Sequence, residues 1–258
     1  KIIQPRGRGK TLGKEKSVLS EEAMGRMGTW RYRRLVQYER FGADIQVEWI
    51  FKVGGTIESI RVGPPVKLAP TRYPSYKTKT VLRLPFEGAW TVFWGGHTLD
   101  QNYHAAYRDQ RFAYDLLVMQ GDKSHAGDGS RLDDYYAFGK KVLAPGAGVV
   151  VAARGDLPDN PIGTMDRANP MGNHVIIDHG NGEFSFLAHL QQGSVHVSTG
   201  TRVESGQLLG LCGNSGNPSE PHIHYHVQDT GVFAKGWGIP AQFRLYRADG
   251  EPVQNGEL

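Results

Sequence analysis

The sequence is poor in cysteine and contains no long apolar run, and each absence excludes a class of protein. A single cysteine, Cys212, stands among 258 residues, so an internal disulfide framework is impossible. No stretch approaches the roughly 18 apolar residues of a membrane-spanning helix, and we expect no transmembrane segment. Cys212 ends the strand-like run Gln207–Cys212, which predicts a small buried side chain rather than a nucleophile. So little cysteine is compatible with an extracytoplasmic bacterial protein.

A sustained helical period is also missing from the chain. Short runs rich in Val, Ile, Thr and Tyr follow one another instead, and clusters of Gly, Asn and Pro separate them. The 34 glycines, against 14 prolines, favour tight turns between strands. We therefore predict a mainly β protein. Two polar stretches, 121–140 and 155–172, interrupt the strands, and loops of this length are usually functional walls or lids.

Composition divides the chain into three parts. Residues 1–20 are polar and without periodicity, and they are predicted to form a flexible basic arm. Residues 21–75 are predicted to contain a small β-hairpin, with its turn at Gly54 and Gly55, followed by a proline-containing linker. Residues 76–258 are predicted to form the main domain.

Positive charge is concentrated near the amino terminus. Residues 1–40 contain eleven Lys or Arg and four Glu, while the whole chain has a net charge of +4. A basic surface favours polyanionic partners such as nucleic acid, anionic lipid or acidic wall polymers. The main domain has no concentrated basic stripe with interleaved aromatics, which argues against a nucleic-acid-binding protein.

Three histidines alternate in a strand-like segment, at positions 222, 224 and 226. Residues two apart in a strand face the same side, about 6.6 Å from one another. His222 and His224 can therefore share one site, with one binding a metal and the other facing water or substrate. His226 continues the same face and can be a third member. One histidine alone would be typical of a partly exposed strand, whereas three in alternation favour a site.

Asp115 lies in a predicted strand whose same-face neighbours are apolar. A buried carboxylate without a partner is costly, so the pattern predicts either metal coordination or an ion pair. Arg108 and Arg111 are available for the ion pair, and both alternatives stand at this point.

Two further histidines complete the candidate set. His104 precedes the strand of Asp115, and His189 ends a strand whose other residues are apolar, where a structural role is an alternative. Taken together, the set offers the His and carboxylate ligands and the open position of catalytic zinc. Histidines that do not bind the ion can take or donate protons.

Several stretches, in the same order, resemble the lysostaphin-like (LytM-type) zinc metalloendopeptidase family, and they cover roughly residues 85–230. The matching stretches are His104 to Asp115, Val142-Leu-Ala-Pro-Gly-Ala-Gly-Val149, Gly172-Asn-His-Val-Ile-Ile-Asp-His-Gly180, Leu187-Ala-His-Leu190, Gly206-Gln-Leu-Leu-Gly-Leu-Cys-Gly213 and Pro221-His-Ile-His-Tyr225.

The resemblance implies a fold, a site and a substrate. The fold is a compact antiparallel β-sheet peptidase domain with a groove walled by loops. His104, Asp115 and His224 would hold one Zn²⁺ per chain, and His189 and His222 would be the catalytic histidines. They would activate water and stabilise a tetrahedral intermediate. The substrate would be the peptides of bacterial peptidoglycan, outside the cytoplasm. The charge of the basic arm, independently of the resemblance, favours anionic wall polymers as its partners.

Two departures from the family pattern leave alternatives open. Ten residues separate His104 from Asp115, whereas the two ligands are usually only a few residues apart, so His97 is a rival first ligand. The loops 121–140 and 155–172 are long for the family, so the shape of the cleft cannot be inherited. The alternative function is a catalytically silent protein of the same fold that binds peptidoglycan or regulates another hydrolase. The required residue type at all five positions favours catalysis.

Overall fold

A computed structural model describes residues 13–26, 29–51 and 55–258 of the chain. The chain divides into two units, Lys1–Lys67 and Leu68–Leu258. Every pairing between strands within them is antiparallel, and the only helices among the described residues are two 3₁₀ helices, Tyr103–Ala106 and Leu132–Asp134. The prediction of a mainly β, antiparallel protein is confirmed. No helix in the described part of the chain has the length and apolar character needed to cross a membrane.

The first unit is a four-stranded meander. Its strands, in the order in which they pair, are β1 (Glu15–Arg26), β2 (Thr29–Tyr38), β3 (Phe41–Phe51) and β4 (Ile57–Gly63). The predicted hairpin is the β3–β4 pair; of its proposed turn, Gly54 lies outside the described residues. Ile45, Val47 and Trp49 alternate along β3 and form the small apolar cluster of this sheet, as a half-buried strand requires.

The predicted arm and the first strand overlap. β1 begins at Glu15, so residues 15–20 form a strand instead of a flexible arm, and residues 1–12 lie outside the described part of the chain. The strand is held by its pairing with β2 and by ion pairs of Arg34 with Glu15 and Glu21. The alternation of apolar residues that marks a half-buried strand is missing because most of β1 is exposed.

The second unit is built on one large sheet. Its strands are β5 (Thr91–Trp94), β6 (Tyr114–Leu117), β7 (Lys141–Leu143), β8 (Gly148–Arg154), β9 (Asn173–Asp178), β10 (Phe184–Leu190), β11 (Arg202–Val203), β12 (Leu208–Leu211), β13 (Ile223–Gln228), β14 (Gly238–Ile239), β15 (Phe243–Ala248) and β16 (Glu251–Gly256). The sheet order is β11-β8-β9-β10-β13-β6-β5, with β14 added beside β13. β7 pairs with β12, and β15 pairs with β16.

The central strands of this sheet have two different faces. Ile223, Tyr225 and Val227 of β13 point into the main apolar core, where Leu116 of β6 and Leu187 of β10 also lie. The alternate residues of β13 are His224, His226 and Gln228, and they line the opposite face. Because successive side chains in a strand point to opposite sides, the apolar packing of one face fixes which residues the other face presents.

Cys212 lies within the same core. It is a free, buried thiol, and burial raises the pKa of that thiol. The prediction of a small buried side chain is confirmed. A thiol that is held in its neutral form is also a poor nucleophile.

Candidate metal and active site

The face of the sheet opposite the core carries a buried polar cluster. Asp115 on β6 and His224 on β13 are direct partners across the antiparallel pair, so their side chains project from the same side. The Nδ1 atom of His224 lies 2.9 Å from Oδ1 of Asp115. His104, His189 and His222 are also buried and surround this pair. All five residues singled out in the sequence are therefore brought together.

His104 reaches the cluster from the first 3₁₀ helix. The fully buried Asn102 caps this helix: its Oδ1 accepts a hydrogen bond from the His104 backbone N–H at 3.1 Å. The Asn102 Nδ2 donates to the carbonyl of Ala113 at 2.9 Å, just before β6. Asn102 thus ties the helix to the strand of Asp115, and His104 Nε2 lies 3.0 Å from Asp115 Oδ2. His104 therefore contacts Asp115 although ten residues separate the two in the sequence.

His97, the rival first ligand, lies away from Asp115. Its Nε2 atom is 2.6 Å from Oε2 of Glu257, and its ring contacts Phe112. The structure therefore places His104, and not His97, against the carboxylate.

The two arginines considered as partners for Asp115 bind backbone carbonyls. Arg108 donates to the carbonyl of Gly236 at 3.0 Å and lies over the ring of Trp237. Arg111 donates to the carbonyl of Ala105 at 3.3 Å. The nitrogen atoms recorded within 4 Å of the Asp115 carboxylate belong to His104, His222 and His224, so of the two sequence alternatives the geometry favours a metal site.

His189 enters the cluster through an irregular backbone. In a regular strand it would share the core-facing side with Leu187. Its φ is +65°, however, and the pairing of β10 with β9 shifts register between Leu187 and Leu190. This bulge turns the imidazole to the opposite face, where its centroid is 4.9 Å from that of His222. Left-handed backbone in a non-glycine residue costs about 1–3 kcal/mol and concentrates at functional sites.

Backbone carbonyls orient two of the imidazoles. His189 Nδ1 donates to the carbonyl of Ser215 at 3.0 Å, and His222 Nδ1 donates to that of Glu220 at 2.8 Å. A carbonyl only accepts, so both Nδ1 atoms carry a proton, and whenever such a ring is neutral its Nε2 atom has a free lone pair. His222 Nε2 lies 3.4 Å from Asp115 Oδ1. Both rings therefore have Nδ1 committed to a carbonyl and Nε2 left for the cluster.

The loop 155–172 closes against the segment that orients His189. A Cβ atom on Gly172, whose φ is +59°, would lie 2.3 Å from the carbonyl oxygen of Ser215, so only glycine permits this approach. Asp166 N–H donates to the Gly216 carbonyl at 2.7 Å. This loop is thus a fixed wall beside the site.

Burial and mutual contact set the charges of the cluster. Burial alone would raise the pKa of Asp115, but His104 and His222 outweigh it and hold the pKa well below its usual range. Burial lowers the pKa of His224, and burial together with the neighbouring histidines holds that of His189 well below its usual range. For His222, burial is outweighed by Asp115, and the pKa is raised. A carboxylate beside mainly neutral imidazoles is the protonation state that metal binding requires.

The donor atoms fit a zinc ion. Two overlapping sets have ligand atoms that all lie within 4.8 Å of one another, His104 with Asp115 and His224, and His189 with His222 and His224. Ligands of a tetrahedral zinc ion lie about 3.3–3.6 Å apart, given Zn–N and Zn–O bonds of about 2.0–2.2 Å. Imidazole and carboxylate are also the donors zinc takes in catalytic sites.

Residues 133–235 match the sequence model of Peptidase family M23. The chain contains an M23 domain. The match includes His189, His222 and His224, while His104 and Asp115 precede it. The resemblance to lysostaphin-like peptidases that the motifs carry is confirmed by this match.

Two relatives of the M23 domain carry names that describe different roles, one of an enzyme and one of an activator. The peptidoglycan DD-endopeptidase ShyA of Vibrio cholerae is 36% identical over 91 residues, which is 35% of this chain and 18% of that protein. The murein hydrolase activator EnvC of Escherichia coli K12 is 27% identical over 103 residues, which is 40% of this chain and 23% of that protein. The chain thus aligns with about a fifth of either relative.

Among solved structures, a zinc-containing peptidase from Vibrio cholerae aligns with 88% of this chain and 54% of its own. The sequence identity is 14% and the TM-score is 0.37.

Sequence reasoning missed the residues that hold the five side chains in place. Asn102 and Ser215 bond to His104 and His189, yet an isolated Asn or Ser carries no such signal in one sequence. For His226 the sequence did carry a signal, which is its alternation with His224. In the structure His226 Nδ1 lies 3.0 Å from His224 Nε2.

The substitution Asn102→Ala is expected to weaken the binding of a metal ion at this cluster. It removes the cap of the helix that carries His104 and leaves the buried Ala113 carbonyl without its donor, at about 1–3 kcal/mol of stability. Zinc affinity measured by competition with a coloured chelator should fall, whereas the exposed control Asn255→Ala should leave it unchanged. Equal affinity in both variants would show that Asn102 does not position His104.

Proposed function

We propose that the chain is a zinc-dependent endopeptidase that hydrolyses peptide bonds of bacterial peptidoglycan, outside the cytoplasm. We assign the activity to residues 76–258. The observation that carries the proposal is the convergence of His104, Asp115 and His224 with two further histidines, His189 and His222, whose Nδ1 atoms are bonded to carbonyls and whose Nε2 atoms are left for the same buried place.

His104, Asp115 and His224 would hold one zinc ion per chain. This set contains the buried carboxylate, whose negative charge compensates a divalent cation in a way that a set of three neutral imidazoles cannot. It also leaves His189 and His222 unligated. Zinc at such a site supplies Lewis acidity, which polarises a scissile carbonyl and makes water more acidic.

The two unligated histidines are suited to different proton transfers. His189 is held neutral by burial, and its Nδ1 proton is committed to the Ser215 carbonyl, so its Nε2 can accept a proton from the attacking water. Asp115 stabilises the protonated form of His222. His222 can therefore stabilise the developing oxyanion or donate a proton to the leaving amine.

Two lines support peptidoglycan as the substrate and catalysis as the role. The family match and the relative named a peptidoglycan DD-endopeptidase point to wall peptides. The catalytically silent alternative would be favoured by a missing ligand or a displaced histidine. The five side chains are present and converge, which supports an active enzyme.

The purified chain is expected to contain about one zinc ion, as one catalytic site of this kind requires. His224→Ala should lose both the zinc and the activity, because both candidate ligand sets include this residue. Zinc is measured by elemental analysis, and activity by mass spectrometry of defined muropeptides after digestion. His196→Ala replaces an exposed histidine and should retain both.

Metal-free protein that still cleaves wall peptides would contradict the zinc mechanism. Zinc-loaded protein that cleaves none of them would instead support the silent alternative.

We also propose that the basic amino-terminal residues attract the protein to anionic wall polymers. Replacing Lys1, Arg6, Arg8 and Lys10 by Gln removes four positive charges and leaves strand β1 intact. Binding to intact walls should weaken at low salt, and the difference from the unaltered chain should shrink as salt screens the charges. The same binding at every salt concentration would remove this proposal without touching the peptidase.

A further inference from the structure

Strand β13 carries a row of three buried polar side chains on the face of the metal cluster. His224, His226 and Gln228 alternate along the strand and are between 0% and 6% exposed. Their same-face spacing places each beside the next. A buried polar group needs a partner, so the hydrogen bonds of this row can be followed from one end to the other.

The amide of Gln228 is oriented by two backbone carbonyls. Its Nε2 donates to the carbonyls of Thr230 at 2.7 Å and Val232 at 2.9 Å. Both amide protons are thereby used, and the Oε1 atom is the end left to accept. Gln228 Oε1 and His226 Nε2 are two of the buried side-chain atoms that have no hydrogen-bond partner in the described part of the chain.

These two atoms belong to adjacent members of the row. Since an amide oxygen only accepts, a hydrogen bond between them would take its proton from His226 Nε2.

The proton on His226 Nε2 determines the rest of the row. The other nitrogen of a neutral imidazole is an acceptor, so with the proton on His226 Nε2, His226 Nδ1 would accept from His224 Nε2, which lies 3.0 Å away. His224 then has its proton on Nε2 and a lone pair on Nδ1. That lone pair faces Asp115 Oδ1 at 2.9 Å, and two acceptors at this distance need a cation between them.

The ring of His226 is held in the plane that this bond requires. Phe186 is its partner across the β10–β13 pair, and the two rings are stacked with centroids 4.5 Å apart and an interplanar angle of 13°.

We propose that His226 and Gln228 are positioning residues that hold His224 in the tautomer with a proton on Nε2 and its Nδ1 lone pair turned to the metal site. The inference rests on the proposed function, because the tautomer of His224 matters to zinc binding only if His224 is a zinc ligand. Outer partners of ligating histidines fix the tautomer and ring orientation in this way, and their loss typically lowers metal affinity about 10- to 100-fold.

Two substitutions at position 226 separate this role from simple packing. His226→Phe keeps the ring and its stacking on Phe186 but removes the acceptor. His226→Asn loses the ring but places Oδ1 where Nδ1 stands. Zinc affinity of the whole chain, measured by chelator competition, should fall about 10- to 100-fold in the Phe variant and be largely retained in the Asn variant. If His226 acted only by packing, the Phe variant should retain its zinc affinity and the Asn variant should lose it. That result would overturn the proposal.

The tautomer itself is measured by ¹⁵N NMR of the histidine rings in the unaltered chain, with and without zinc. A proton on His224 Nε2 in both states is expected, and a proton on Nδ1 in the zinc-free chain would overturn the proposal. Gln228→Leu should shift the zinc-free population away from the Nε2–H tautomer. If the unaltered chain binds no zinc, the proposed function fails, while this spectrum still decides whether the row fixes His224.

Discussion

Asp115 is a carboxylate with 4% of its surface exposed, on a strand whose other residues are also buried. Removing such a charge from water is costly unless cations or hydrogen-bond donors compensate it. Nitrogen atoms of the His104, His222 and His224 imidazoles lie 2.9–3.4 Å from its oxygens. Neutral imidazoles compensate a carboxylate only in part, and a divalent cation among them would do so fully. Much of the second unit's local structure serves to place these groups around this carboxylate.

One regular feature of the backbone and two irregular ones position the side chains of the cluster. Antiparallel register sets Asp115 opposite His224, while the alternate residues of both strands are packed into the apolar core. The bulge with left-handed backbone at His189 and the capped 3₁₀ helix at His104 bring in side chains that no strand register could deliver. Interactions with backbone groups or buried side chains orient each of these histidines, which is how a site gains the precision that catalysis needs.

Local patterning accounts for what could be predicted from the sequence. Alternation over positions 222, 224 and 226 predicted one polar face, and the β-rich composition predicted the sheet. The strand β1 escaped prediction at residues 15–20 because its side chains are mainly exposed and polar, so no apolar period marks it. His189 was ambiguous because period-two alternation assigns it to the core, and only the left-handed φ reverses that assignment. The choice between His97 and His104 depends on Asn102, whose bond to Ala113 joins residues eleven apart.

The most direct test of the central claim is a crystal structure of the zinc-loaded chain, with anomalous scattering recorded on either side of the zinc absorption edge. One anomalous peak is predicted, bonded at about 2.0–2.2 Å to His104 Nε2, a carboxylate oxygen of Asp115 and His224 Nδ1, with His189 and His222 unligated. A peak held by His189 and His222, with Asp115 left out, would contradict the account, as would zinc bound away from this cluster.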